Sequence, residues 1–157
     1  GVIMNQFMKK AIEEAEKGIA IRDGGPFGAV IVKDNKIIAF GHNKVISSND
    51  PTAHAEIVAI REASSILQRF DLSDCELYTT CEPCPMCYSA IHWAKITKVY
   101  YGATRSDAKN IGFDDQYLYD VLSNKIPDTK LTLEELGRKS CLKVFNTYAK
   151  DEKRTLY

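Results

Sequence analysis

Thr52-Ala53-His54-Ala55-Glu56 and Glu82-Pro83-Cys84-Pro85-Met86-Cys87 each stand where an apolar helical pattern begins. In the second stretch Pro83 is expected to open the helix, because its missing N–H is not needed there. Cys84 and Cys87 then lie three apart in a first helical turn, so their sulfurs share one face. Unpaired backbone N–H groups and the positive dipole end of that turn favour thiolate, the form that binds metal. In the first stretch Thr52 is expected to cap a helix whose apolar face is Ile57, Ala59, Ile60 and Ala63. His54 adds a neutral imidazole. One nitrogen and two sulfurs make three protein ligands, and a zinc ion held so keeps its fourth position open to water, the arrangement of catalytic zinc. Glu56, two residues from His54, does not share its face; it is expected beside that water as a proton shuttle and not as a ligand.

On either side the chain alternates between two periodicities. Phe7, Met8, Ala11, Ile12 and Ala15 recur at helical spacing and Gly18 closes that helix. Residues 27–33 and 36–40 are β-rich runs separated by Asp34-Asn35, a hairpin signal. Residues 43–50 read as a loop, residues 75–79 and 98–101 as strands, residues 115–122 as a short helix, and residues 133–150 as a long helix with Gly137 as a blemish. A hairpin followed by alternating helix and strand implies an α/β sandwich with a mixed central sheet. The length, 157 residues, suits a single domain spanning 1–157. Gly1-Val2-Ile3 precedes Met4 and is expected to lie ahead of the natural start.

Charge and cysteine usage narrow the function. Lys plus Arg and Asp plus Glu both number 21, so the basic excess typical of nucleic-acid binders is missing and small substrates are favoured. No apolar run is long enough for a membrane span and no secretory pattern opens the chain. Five cysteines, three of them between Cys81 and Cys87, read as a metal site or catalytic thiol in a cytoplasmic protein, not as a disulfide framework. A closed structural zinc would need a fourth protein ligand, for which Cys81 and His42 are the candidates; Cys81 is expected instead to line the site. Cys75 and Cys141 are expected in the core, and His92 as a partly buried helix residue.

His-x-Glu followed by Pro-Cys-x-x-Cys is the signature of the zinc-dependent deaminases. Three longer stretches sharpen it: residues 25–32 (GPFGAVIV), 49–56 (NDPTAHAE) and 81–87 (CEPCPMC). With Gly112-Phe113-Asp114-Asp115 and the terminal Tyr157, they resemble the bacterial guanine deaminases of the cytidine-deaminase superfamily. The likeness runs from the first helix to about Leu122 and resumes at the end of the chain. It implies a three-layer α/β/α sandwich around a five-stranded mixed sheet. It also implies a homodimer in which C-terminal segments are exchanged. One zinc ion per chain would be held by His54, Cys84 and Cys87, with Glu56 as the proton shuttle. Asn43 would hydrogen-bond the base, Phe27 and Trp93 would supply aromatic walls, Asp115 would accept from the base edge, and Tyr157 would lie near the pocket.

The implied reaction is hydrolysis of guanine to xanthine and ammonia, with attack at C2 and Glu56 protonating N3 and then the departing amine. Within the superfamily the alternatives are a tRNA adenosine deaminase, or a deaminase of cytosine, guanosine or a triazine. A non-catalytic, zinc-stabilised binding module is the alternative of a different class.

Overall fold

The computed structural model describes residues 4–157, so the Gly1-Val2-Ile3 opening lies outside the described residues. The chain divides into two compact units, Gly1–Tyr119 and Asp120–Tyr157.

The first unit is built on a sheet. Helix α1 (Gln6–Ala20) starts where the Asn5 side chain accepts from the N–H groups of Phe7 and Met8, relieving two orphan donors. Strands β1 (Gly28–Lys33) and β2 (Lys36–His42) form the expected hairpin. Asp34 and Asn35 both take positive φ, 50° and 62°, as a two-residue turn matching strand twist requires. Helix α2 (Ala55–Leu67) leads to β3 (Cys75–Cys81), and α3 (Pro85–Trp93) leads to β4 (Val99–Ala103). The strand order is β2-β1-β3-β4, antiparallel except for the parallel pair β3/β4.

Alternation along the strands divides the core between two layers. Val30, Val32 and Tyr78 pack with Phe7 and Ala11 of α1, while Ala29, Ile31 and Leu77 pack with Ala55, Ala59 and Ala63 of α2 and Ile91 of α3. Ile31 and Leu77 are fully buried, worth about 1.5–3 kcal/mol each. The first unit is therefore an α/β/α sandwich, with α1 on one face and α2 and α3 on the other.

Several expectations are corrected. The sheet has four strands among the described residues, not five. After β4 the chain enters α4 (Arg105–Asn110) and α5 (Gln116–Leu122), and residues 130–136, which contain three leucines, form no ladder. Thr104 caps α4 through a reciprocal capping box with Asp107 and so turns the chain out of the sheet. That short polar helix carries no apolar periodicity and escaped the reading of the sequence. Thr52 does not cap α2: its hydroxyl donates to Asp50 Oδ1 at 2.7 Å, and His54 holds the N-cap position. Pro85, not Pro83, is the first residue of α3, and Cys84 is its N-cap.

In the second unit, α6 (Arg138–Lys150) is shorter than expected. Gly137 has φ 72°, a left-handed conformation that ends any helix running in from Leu133. Cys141 is exposed, not a core residue, and no residue from 122 onwards is buried.

Candidate active site

Two helix starts bring the metal-binding side chains together. His54 and Cys84 are both N-cap residues in extended conformation, so each side chain projects from the mouth of its helix, and Cys87 follows in the first turn of α3. His54 Nδ1 lies 3.5 Å from Cys84 Sγ and 3.5 Å from Cys87 Sγ. Zinc with bonds of about 2.0 Å to nitrogen and about 2.3 Å to sulfur at tetrahedral angles would set those atoms about 3.5 Å apart. The three ligand atoms all lie within 4.8 Å of one another. The donor set and its spacing therefore fit one zinc ion through Nδ1 of the histidine.

The electrostatics agree with such an ion. A hydrogen bond from the Cys87 thiol, with another to His54, holds the Cys84 thiol down at about 4. The same bond to Cys84 and burial push Cys87 up. A divalent cation bound here would favour the thiolate form of both cysteines. The hydrogen bond to Cys84 also raises His54 against the lowering effect of its burial.

Neither candidate for a fourth protein ligand joins this group. Cys81 is buried, its Sγ pairs with the Thr104 carbonyl at 3.8 Å, and burial raises it to about 11. His42 is held elsewhere, between Glu14 and Asp23.

Glu56, in the first turn of α2, is buried, and that desolvation raises its carboxyl above the ordinary glutamate range. It lines the same cavity of about 830 Å³ as His54 and Cys84. Three more expected residues share that lining: Phe27, Asn43 and Asp115. Asn43 is buried at the end of β2, and its Oδ1 accepts from the Val45 N–H at 3.0 Å. Gly24 stands so close that a Cβ there would meet Asn43 Oδ1 at 2.1 Å, which only glycine avoids. Phe27 meets Phe113 edge-on with ring centres 5.0 Å apart. Asp115 is raised by burial, an effect opposed by the nearby Arg105 charge.

Trp93 is placed differently. It is 62% exposed at the end of α3 and is not part of the cavity lining. It follows buried Ile91 by two positions, which turns it to the opposite side of the helix. Tyr157 belongs to the second unit and is exposed. His92 is exposed too, and packs at a tilt against Tyr88 with ring centres 4.9 Å apart.

Arg105 stands in no motif that marks it in the sequence. Its N–H donates to Glu82 Oε1 at 3.0 Å and its guanidinium lies 3.8 Å over the Tyr119 ring. Tyr119 in turn donates to the Pro83 carbonyl at 2.6 Å. Arg105 thus joins the cysteine loop to α5, which begins directly after Asp115. Phe113 stood within a recognisable motif, yet only its packing on Phe27 marks it as a wall residue.

An α/β/α sandwich with a His-Cys-Cys group at two helix starts and a buried carboxyl beside it defines a zinc-dependent deaminase. Residues 3–103 match the cytidine and deoxycytidylate deaminase zinc-binding region, and the chain belongs to that family. It is similar to the guanine deaminase of Bacillus subtilis, with 51% identity over 82% of this chain and 86% of that protein. An X-ray structure of that guanine deaminase superposes with a TM-score of 0.91, covering 98% of this chain and 99% of that one at 44% identity. The tRNA-specific adenosine deaminase of Buchnera aphidicola is 37% identical over 82% of each chain.

Proposed function

We propose that this enzyme hydrolyses guanine to xanthine and ammonia. The observation that carries the choice of base is the likeness to a guanine deaminase along almost the whole chain, beyond the zinc-binding region that all members share. His54, Cys84 and Cys87 would hold the zinc, which supplies an activated water as nucleophile at neutral pH. Glu56 would take one proton from the attacking water and pass it to N3 as C2 is attacked, then take the remaining proton of the added hydroxyl and deliver it to the amine, which leaves as ammonia. Its burial suits this work, because a carboxylate shifted upward by desolvation takes a proton from water more readily than an exposed one and can still pass it on.

The remaining residues bind. With its oxygen committed to Val45, Asn43 keeps its amide N–H groups for a base carbonyl or ring nitrogen. Asp115 accepts from the donors on the edge of guanine, where adenine would set its N1 acceptor against the carboxylate. Phe27 and Phe113 wall the base plane. A tRNA substrate is disfavoured by the zero net charge.

We also infer a homodimer with exchanged C-terminal segments. On α6, Cys141, Val144, Phe145 and Tyr148 form an i, i+3, i+4, i+7 stripe that is exposed throughout. Such a stripe needs an apolar cover, and a second copy supplies one.

Ammonia release from a panel of guanine, adenine, cytosine, guanosine and an anticodon stem–loop tests the base. Guanine should be turned over fastest. Faster turnover of cytosine or the RNA leaves only the family membership standing, and no ammonia from any of them points to a zinc-stabilised binding module.

A further inference from the structure

At the end of β2, next to Asn43, His42 is buried among charged groups that the deamination chemistry does not use. Its Nδ1 lies 3.2 Å from Glu14 Oε1 on α1, and its Nε2 lies 2.6 Å from Asp23 Oδ2 in the loop after α1. Glu14 is itself buried, with Lys10 at 3.7 Å as its other charged neighbour. Burying such groups is costly unless they are paired, so each partner here depends on the other two.

The same contacts reach the cavity wall from two sides. Asp23 accepts at its carbonyl from the N–H groups of Ile46 and Ser47, both at 3.0 Å, and so holds the chain that follows Asn43. Gly24, its next residue, lies against Asn43 Oδ1. Asp23 therefore fixes both the segment in front of the Asn43 amide and the segment behind it, and His42 ties Asp23 to the helix layer.

We propose that His42 is a positioning residue for substrate binding. Through Glu14 and Asp23 it holds Asn43 and the Gly24 wall at the spacing the base requires, while the metal group and Glu56 are carried by the starts of α2 and α3 and make no contact with the His42 side chain's carboxylate partners. The kinetic part rests on the guanine reading; the structural part does not.

His42→Ala tests it with three measurements. Zinc content should be unchanged, and the KM for guanine should rise about tenfold with kcat within roughly threefold, because binding geometry is lost and the reacting groups are not. Hydrogen exchange on the substrate-free protein should quicken at the Ile46 and Ser47 amides and not in α3. If the variant does not fold, Asp23→Asn, which keeps the shape and removes one charge, should show the same two changes at smaller size. An unchanged KM, or a kcat loss accompanied by zinc loss, overturns the positioning role. Unchanged exchange in residues 43–47 overturns the clamp itself. Should the parent enzyme leave guanine untouched, the substrate reading fails, while the exchange measurement still decides the clamp.

Discussion

The three cysteines between residues 81 and 87 stand in two environments. Cys84 and Cys87 each face His54 Nδ1, whereas Cys81 faces a backbone carbonyl and is raised by burial. Cys84→Ala should lose most of its zinc by metal analysis, and Cys81→Ala should keep it; equal loss in both would mean a closed four-ligand site. Glu56 is close to the metal group in sequence but makes a different demand on the chemistry. Glu56→Gln preserves shape and removes the exchangeable proton, so it should retain zinc and lose several orders of magnitude in kcat. A variant within about tenfold of the parent rate would remove Glu56 from the proton-transfer role.

Short elements place part of the cavity wall. Helix α4 has only six residues and no buried side chain, so it depends on its Thr104–Asp107 capping box to start where it does. From that start the chain runs through Gly112 and Phe113 to Asp115 on the cavity wall. Thr104→Ala should cost about 1 kcal/mol, lowering the thermal midpoint by about 2–4 °C, and Thr104→Ser should restore most of it. The backbone N–H of Thr104, then its side chain, holds the Asp107 carboxyl below the ordinary aspartate range. A depressed carboxyl stabilises the fold fully above its unfolded value, about 3.9, and loses that contribution as pH falls through the lower native value. The Thr104→Ala penalty measured by calorimetry should therefore shrink below about pH 4.

At the scale of the whole molecule the two compact units differ in how they bury apolar surface. The first unit has two apolar clusters either side of a sheet, whereas none of residues 122–157 is fully buried. Light scattering should give a dimer. Deleting residues 154–157 should raise KM or lower kcat for guanine while zinc content and thermal stability stay near those of the parent, since none of these residues is buried. Unchanged kinetics would make the tail an ordinary chain end, and a monomer would remove the exchanged segment.

Local chemistry was legible in the sequence. The Asp34-Asn35 turn, the periodicity of α1 and the two helix starts with His54, Glu56, Cys84 and Cys87 are each set by residues a few positions apart, where backbone geometry leaves few alternatives. The details of capping already depended on neighbours: Asp50 captures the Thr52 hydroxyl, and the N-cap passes to His54. What tertiary structure alone decided lies between distant segments. Among the described residues the sheet stops at four strands, and α4 follows β4 directly. Trp93 faces solvent because packing of Cys87 and Ile91 sets the rotation of α3. Arg105 joins Glu82 and Tyr119, and His42 sits between carboxylates from two elements. No periodicity announces a buried histidine's partners, because the charges that compensate it are selected by burial in the folded chain and not by spacing along it.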